Sequence, residues 1–476
     1  MKILKRLGVV ALLLVFFAYG AYLGRHELTR MQEQLPSFTA AAGETQQVRI
    51  EMQDGVKLFT SVMLPEGEGP FPSVLLRNPY ARFTPIMRDT LCGRFIRYGY
   101  ACVLQDVRGQ GESEGEWSPM VNEVRDGRDT ISWLVEQPFQ DGNIAMVGPS
   151  YLASVQYAVA ASGLPSEVKT LVPAVYTTDL STILYSNGMF RHETFTAWAS
   201  MMRGSNSEAD DAGGDYHKAI RHLPHNKVDT AVFGLPMPWY QDMIDIERAK
   251  STLFNNPDAR LMNEVPENID VPILMVSGWY DVFFGGQMAD WERLATRSSS
   301  RFVLGPWTHA GASGEAFEIE NAQGGLFQWK EMLPWLDHHL KGQPLTNPPG
   351  LYTFTMGENE WHFYEEWPGP TTSKIFSLND LETDTVRLNA STIKQLFQDT
   401  DYKLDDVRET KLVKPVALTL LPGEIKMIES TKKRKEFFIQ IVLPLVLKEN
   451  NNIRLDRKTL FKIINKSNNT KLEKKW

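Results

Sequence analysis

Short apolar runs that end at glycine or at a polar residue recur along the chain, with helix-like segments between several of them. Runs of this length predict strands that are buried on both faces. Strands that alternate with helices predict an α/β protein with a largely parallel sheet. The clearest predicted strands cover residues 73–77, 100–104, 143–149, 168–175, 271–277 and 301–304.

Ser150 stands in the turn after the strand at 143–149, and a predicted helix rich in small residues follows it. A serine in such a turn has its hydroxyl clear of the backbone, and the N–H groups and dipole of the helix favour a developing anion. The elbow pattern of α/β-hydrolases expects glycine two residues before and two residues after the serine. Gly148 fills the first position, whereas Leu152 stands in the second and Ala153 comes one residue later. The alternative is an ordinary turn serine.

Two further strand ends carry the residue types that a serine nucleophile needs. Asp281 follows the strand at 271–277, and His309 follows the strand at 301–304. Residues beyond the carboxyl ends of parallel strands can meet at one edge of a sheet, and the chain order Ser, Asp, His is that of α/β-hydrolases. Taken singly, Asp281 would be a helix N-cap and His309 a loop histidine. The three residues together predict a catalytic triad.

Around these residues the chain resembles a known family of enzymes. The segments Gly-Pro-Ser-Tyr at 148–151, Gly-Trp-Tyr-Asp at 278–281 and Gly-Pro-Trp-Thr-His at 305–309 resemble signatures of the cocaine-esterase-like (CocE/NonD) hydrolases. That family is related to the Xaa-Pro dipeptidyl-peptidases, the α-amino acid ester hydrolases and the glutaryl-cephalosporin acylases. Similar agreement is found at 52–58, 71–80, 106–117 and 337–342, so the resemblance extends from about residue 46 to about residue 380.

The resemblance implies an α/β-hydrolase fold and the mechanism of a serine hydrolase. Ser150 would attack the acyl carbonyl, His309 would accept its proton, and Asp281 would orient the imidazole. The backbone N–H of Tyr151 and the hydroxyl of Tyr80 would bind the oxyanion. The implied substrates are small acyl esters, amides or short Xaa-Pro peptides, cleaved through an acyl-enzyme. The competing interpretation is a non-catalytic or binding protein that the loss of its C-terminal sandwich has disabled.

A glycine-rich stretch follows the strand at 100–104, with glycines at positions 109, 111 and 115. Such a stretch can bind phosphate, but glutamates at positions 112, 114 and 116 would repel an anion. No Gly-Lys-Ser/Thr accompanies it. The pattern therefore favours a structural loop, in which Asp106 and Arg108 are expected to pair.

Composition narrows the class of protein further. The chain has 476 residues, 42% of them hydrophobic, and a formal net charge of −8, which indicates a globular protein of two or more domains and argues against nucleic acid as a partner. Its two cysteines, Cys92 and Cys102, are too few for a disulfide framework, and Cys102 is expected to be a small core residue. Neither Cys-x-x-Cys nor His-Glu-x-x-His occurs, so no metal and no cofactor is predicted.

The N-terminus predicts export. Basic residues precede an apolar run at 7–23, which Arg25 closes. This order of charge and apolarity predicts an uncleaved signal anchor over residues 1–25, or a signal peptide cleaved near 18–20. Tyr22 and Arg25 flank the run and favour the anchor, with a linker at 26–45. The protein is therefore expected at the periplasmic face of the membrane or outside the cell.

Two regions are predicted from pattern and resemblance together. Residues from about 180 to 265 lack strong strand patterns and have apolar residues at helical spacing, which predicts a helical cap inserted into a hydrolase domain at 46–345. Trp198 and Trp239 are among the aromatic residues that would line an acyl pocket under this cap. Residues 350–410 resemble the first strands of the family's β-sandwich, a jelly roll that is here cut short.

The last segment, 411–476, differs in composition from the rest of the chain. It holds 16 Lys and Arg against 6 Asp and Glu, a net charge of +10, so the first 410 residues carry −18. Part of it resembles the segment before the catalytic domain of Bax-like glucosaminidases, without that family's catalytic glutamate, so no glycosidase activity is implied. The alternative is a basic helical tail that binds anionic membrane.

Overall fold

The computed structural model describes residues 24–202, 212–255, 262, 264–311, 327–365, 367, 385–388 and 416–419. The chain divides into two units, Met1–Gly369 and Pro370–Trp476. In the second unit the described residues form the antiparallel strands Thr385–Leu388 and Val416–Thr419. Most of the predicted signal segment, much of the expected sandwich at 350–410 and most of the basic tail lie outside the described residues.

A ten-stranded sheet runs through the first unit, with the order β1-β2-β4-β3-β5-β6-β9-β10-β11-β12. From β4 to β11 in this order the strands run parallel, while β2 and β12 run antiparallel to their neighbours. The sheet contains a counterpart for each of the six strands predicted from apolar runs, and its topology confirms the α/β class. The strands are β1 (Ala42–Glu51), β2 (Lys57–Pro65), β3 (Phe71–Asn78), β4 (Ala101–Asp106), β5 (Gln140–Pro149), β6 (Val168–Ala174), the separate hairpin of β7 (Tyr185–Ser186) and β8 (Met189–Phe190), β9 (Leu274–Tyr280), β10 (Arg301–Thr308), β11 (Gly350–Thr355) and β12 (Glu360–Tyr364).

Helices connect the strands and cover the sheet. Short 3₁₀ turns occur at Ala81–Phe83, His225–Lys227 and Arg297–Ser299, and a π turn at Arg88–Cys92. Within the described ranges, no helix is both long and apolar enough to cross a membrane. The α-helices are α1 (Arg25–Gln32), α2 (Thr84–Met87), α3 (Gly93–Arg97), α4 (Glu123–Val135), α5 (Tyr151–Ala161), α6 (Leu180–Leu184), α7 (His192–Met202), α8 (Ala212–Ala219), α9 (Val228–Ala231), α10 (Pro238–Ile244), α11 (Ile246–Ser251), α12 (Val265–Asn268), α13 (Phe284–Arg293) and α14 (Trp329–Lys341).

The two faces of the sheet bury separate apolar clusters. Alternate side chains of a strand point to opposite faces, so Leu75 and Val103 belong to one cluster while Leu76 and Leu104 belong to the other. Helices α4, α5 and α13 contribute to the first cluster, and α3 and α14 contribute to the second. Burial on both faces is the reason that these strands appear in the sequence as continuous apolar runs.

The segment between β6 and β9 adds no strand to the central sheet within its described residues, which form α6 to α12 and the β7–β8 hairpin. Thr196 of α7 hydrogen-bonds the hydroxyl of Tyr240 in α10 at 2.8 Å. Tyr240 also packs with Ala199 and Val228 in a buried cluster of this segment. The helices of the insertion are therefore held by a core of their own.

The strands after α14 extend the central sheet, whereas the sequence predicts them as the start of a β-sandwich. β11 pairs in parallel with β10, placing Leu351 beside Phe302, and β12 pairs antiparallel with β11. Without β11, β10 would be an edge strand with unpaired backbone groups, and the connection after α14 returns the chain to that edge. Residues 350–364 thus belong to the central sheet.

The two cysteines also differ from expectation. Cys92 and Cys102 are both buried, but they are joined in a disulfide. The π turn that ends at Cys92 packs against β4, which carries Cys102. Only this packing brings residues ten positions apart within bonding distance.

The expected pair of Asp106 and Arg108 does not form. Arg108 lies in the loop beyond the end of β4 and reaches α4, where its guanidinium donates two hydrogen bonds to Asp126 at 2.7 and 2.8 Å. It also pairs with Asp54 at 2.9 Å. The carboxylate of Asp106 instead accepts hydrogen bonds from Thr84 and from the backbone of Glu112. The loop is therefore anchored to a helix through Arg108.

We predict that Asp126→Asn lowers the free energy of unfolding by about 3–5 kcal/mol, because it removes the fully buried partner of Arg108. Glu267→Gln is the matched control, since both side chains of the Glu267–Arg293 pair are exposed to solvent. Its loss should lower the free energy of unfolding by at most about 1 kcal/mol. Urea unfolding of both variants measures the difference. Equal losses would contradict a buried anchor at Arg108.

Candidate active site

Ser150 occupies a strained turn between β5 and α5. Its backbone has φ 54° and ψ −123°, an unusual conformation for a residue other than glycine. Gly148 has φ 150°, and a Cβ on it would lie 2.3 Å from the Cβ of Leu152. Any side chain at position 148 would therefore clash with Leu152, the residue at which the chain departs from the elbow pattern. The turn holds the Ser150 hydroxyl above the carboxyl end of β5.

The structure brings His309 and Asp281 to this serine. Nε2 of His309 lies 3.1 Å from Oγ of Ser150, and Nδ1 of His309 lies 2.6 Å from Oδ2 of Asp281. Asp281 follows β9 and its side chain is buried, while His309 follows β10 and is partly exposed. The other oxygen of Asp281 accepts the backbone N–H of Phe283 at 2.7 Å. The arrangement fixes the carboxylate behind the imidazole and leaves the imidazole accessible beside the serine.

Tyr80 and Tyr151, the two predicted oxyanion donors, both lie at the serine. Tyr80 follows β3, and its hydroxyl donates to Oγ of Ser150 at 3.4 Å. Burial raises the pKa of Tyr80, and hydrogen bonds with Ser150, Trp198 and the backbone N–H of Tyr151 oppose that rise. The Tyr80 phenol and the Tyr151 N–H therefore lie next to each other beside the nucleophile.

A buried charged network, which the sequence did not suggest, lies behind Tyr151. Its hydroxyl donates to Glu123 at 2.8 Å and accepts the backbone N–H of Met120 at 2.8 Å. Arg77 pairs with the same carboxylate of Glu123 at 3.0 Å, and both side chains are buried. Burial raises the pKa of Glu123, while the charge of Arg77 opposes the rise. Glu123 lies in the first turn of α4, a position that many surface glutamates share, so the sequence carries no distinct signal for this site.

Aromatic side chains from the loop after β4 and from the insertion gather around Tyr151. Trp198 of α7 stacks on the Tyr151 ring, with centroids 6.3 Å apart and an interplanar angle of 18°. Trp117 packs against Trp198 at 5.6 Å and against Trp239 of α10 at 5.2 Å. The three tryptophans remain partly exposed. Trp117 was not singled out from the sequence, because it ends a glycine-rich loop far from the insertion.

Apolar residues also flank the histidine. The Phe283 ring meets His309 edge-on, with centroids 5.2 Å apart, and is itself buried. Val282 and Phe284 are its neighbours in sequence, so no carboxylate follows Asp281 directly. Among the described residues, no group of three His, Cys, Asp or Glu side chains is placed to hold a metal ion.

Comparison with known proteins places the chain in a family. The sequence profile of the X-Pro dipeptidyl-peptidase (S15) family matches residues 54–311. Cocaine esterase from Rhodococcus sp. (strain MB1 Bresler) is 29% identical over 358 residues, which are 68% of this chain and 60% of that protein. The chain thus spans about 60% of the length of the curated relatives it matches.

Two solved structures share the fold. An aminopeptidase from a marine sediment archaeon, Thaumarchaeota archaeon, superposes with a TM-score of 0.55 at 24% identity and covers 71% of this chain and 61% of its own. An α-amino acid ester hydrolase has the same TM-score and identity, with coverages of 70% and 60%. The solved structures and the sheet topology together define an α/β-hydrolase fold. The chain belongs to the X-Pro dipeptidyl-peptidase family S15. Together with the similarity to cocaine esterase, this confirms the resemblance that the motifs carry.

Proposed function

We propose that the protein is a serine hydrolase that cleaves esters or amides through an acyl-enzyme. The observation that carries the proposal is the continuous hydrogen-bonded series Asp281–His309–Ser150, with heavy-atom distances of 2.6 and 3.1 Å. Both lie within the range over which a base accepts the proton of a nucleophile. Each member follows a different strand of one sheet, so the series is held by the core of the fold.

In the proposed reaction Oγ of Ser150 bonds to the acyl carbon while its proton passes to Nε2 of His309. Asp281 holds the imidazole through Nδ1 and stabilises the cation that forms. When the tetrahedral intermediate collapses, His309 returns the proton to the leaving oxygen or nitrogen. Water then repeats the sequence on the acyl-enzyme and frees Ser150.

The proposed oxyanion hole consists of the Tyr80 hydroxyl and the Tyr151 N–H. In the resting site Tyr80 donates to Ser150, which supports this role because the same proton can turn to the carbonyl oxygen as Oγ forms its bond. The start of α5 adds its N-terminal dipole behind the Tyr151 N–H. Donors that are already in place stabilise charge without reorganising during the reaction.

The proposed substrates carry an uncharged, aromatic or hydrophobic acyl group. Three partly exposed tryptophans and Tyr151 lie beside the nucleophile, and Phe283 lies beside His309. A substrate ammonium placed near Val282 and Phe283 would lose its water without gaining a partner, which is costly. Of the acidic residues in the insertion, Glu193 is exposed and accepts from Tyr216, and those at 208, 210 and 211 lie outside the described residues.

We also propose that the protein acts outside the cytoplasm. The basic and apolar order of its N-terminus supports export. The disulfide between Cys92 and Cys102 is consistent with an oxidising compartment. The second candidate function is that of a non-catalytic binding protein.

Ser150→Ala should lower kcat on a p-nitrophenyl acyl ester by roughly 10⁴- to 10⁶-fold, because it removes the nucleophile. A fluorophosphonate probe should label the wild-type protein and leave Ser150→Ala unlabelled. Ser162→Ala, at the far end of α5, is the matched control and should keep both activity and labelling. Hydrolysis that persists in Ser150→Ala would contradict Ser150 as the nucleophile. A wild-type protein that neither hydrolyses the ester nor reacts with the probe would favour the binding protein.

Tyr80→Phe should lower kcat by roughly 10²- to 10³-fold, because it deletes one oxyanion donor and keeps the ring. KM should change far less, since the lost hydrogen bond strengthens only as charge develops. Steady-state kinetics on the same ester measure both constants. Tyr98→Phe, which removes a hydroxyl bonded to Pro36, serves as the control and should leave kcat unchanged. A kcat within twofold of wild type in Tyr80→Phe would reduce Tyr80 to a structural residue.

A phenylacetate ester should be hydrolysed faster than the matching phenylglycine ester at a pH where the amine is protonated. The two acyl groups differ only in an ammonium, and the residues after Asp281 offer it no carboxylate. Comparing kcat/KM for the pair with one leaving group tests the preference. A higher kcat/KM for the phenylglycine ester would place an unrecognised carboxylate in the acyl site.

A further inference from the structure

Asp106 is a buried carboxylate that the proposed reaction does not use. It ends β4, is 3% exposed, and accepts a hydrogen bond from the Thr84 hydroxyl at 2.6 Å. Its second oxygen accepts the backbone N–H of Glu112 at 3.3 Å. Gly111 passes so close that a Cβ on it would lie 2.1 Å from that oxygen. The glycine-rich loop therefore closes over this carboxylate.

The hydrogen bonds of Asp106 continue to Tyr80. Thr84 accepts a hydrogen bond from Nδ2 of Asn78 at 3.0 Å, and both side chains are buried. Nδ2 of Asn78 also donates to the backbone oxygen of Tyr80 at 3.1 Å, and its Oδ1 accepts the Tyr80 N–H at 3.0 Å. One asparagine thus holds both backbone groups of the proposed oxyanion donor.

The Asp106 carboxylate determines which group donates and which accepts in each hydrogen bond of this series. An ionised carboxylate can only accept, so Thr84 must donate its single proton to Asp106. The Thr84 oxygen is then available only as an acceptor, and it faces the amide nitrogen of Asn78. That choice turns Oδ1 of Asn78 toward the Tyr80 N–H. Asp106 therefore favours the same orientation of the Asn78 amide as the backbone N–H and carbonyl of Tyr80 do.

We propose that Asp106, Thr84 and Asn78 are positioning residues, which hold the backbone of Tyr80 so that its hydroxyl stays at the nucleophile. The proposal rests on the proposed function, because it needs Tyr80 to bind the oxyanion. It assigns the Asp-x-Arg-Gly-x-Gly segment at 106–111 two separate tasks. Arg108 anchors the loop to α4, and Asp106 supports the oxyanion donor at the end of β3.

The test is a double-mutant cycle of Thr84→Val with Tyr80→Phe. Thr84→Val keeps the shape of the side chain and breaks the series. In the presence of the Tyr80 hydroxyl it should lower kcat by about tenfold to a hundredfold with KM within about twofold, since small misplacements of a catalytic group cost this much. Combined with Tyr80→Phe, it should lower kcat by less than about twofold, because the group that it positions is already gone. Thr84→Ser keeps the hydroxyl and should retain most of the wild-type kcat.

Thr178→Val is the matched control, because Thr178 also donates at 2.6 Å to a buried carboxylate, that of Asp290. It should leave kcat unchanged with or without the Tyr80 hydroxyl. Equal losses from Thr84→Val in both backgrounds would overturn the proposal and leave Asp106 as a loop anchor.

If Thr84→Val does not fold, Asp106→Asn takes its place in the cycle. An asparagine can donate a hydrogen bond to Thr84, so Thr84 is no longer forced to donate to position 106. The assay is run at about pH 8, since burial raises the pKa of Asp106 to about 6.

The proposed function is tested separately by Ser150→Ala. An active Ser150→Ala protein would remove the basis for an oxyanion hole altogether. If Ser150→Ala is inactive but the effects of Thr84→Val and Tyr80→Phe on kcat are independent, the proposed serine hydrolase stands and only the positioning role of Thr84 is rejected.

Discussion

Parallel pairing of β3, β5, β9 and β10 within one sheet is the constraint on which the candidate site depends. Parallel strands end at the same edge, so the residues that follow them meet there although they are far apart in sequence. Ser150, Asp281 and His309 each come directly after one of these strands, and Tyr80 comes two residues after β3. The distances between their polar atoms follow from strand register, and the register follows from burial of the strands on both faces.

The charged side chains buried behind this edge lose solvation free energy, which their partners must offset. Arg77, Glu123 and Asp106 are buried, and each would be expensive to keep in the core without a partner. Glu123 is paired with Arg77 and bonded by Tyr151, while Asp106 is bonded by Thr84. Both networks end at a proposed oxyanion donor. Replacing them with apolar residues would be tolerable for packing but would leave the donors without defined positions.

Much of the site could be predicted because its signals are local. An apolar run followed by Gly-x-Ser, by Asp or by His marks a strand end and the residue beyond it, and the family motifs add their order. The supporting network could not be predicted in the same way. Asn78, Thr84 and Asp106 lie on three separate elements, and no local pattern in the sequence indicates that they contact one another. The expected pair of Asp106 and Arg108 shows the limit, because proximity in sequence does not reveal which way a loop turns.

The sequence by itself determined the α/β class, the positions of the central strands and the residues that stand at their ends. These depend on burial periodicity and on turn residues, which act over a few positions of the chain. The tertiary structure decided that 350–364 join the central sheet, that Cys92 meets Cys102, and that Arg108 binds Asp126. It also decided that Glu123 bonds Tyr151 and that the series from Asp106 ends at Tyr80. These contacts join segments whose separation is set by packing of the whole sheet, and no local pattern contains that information.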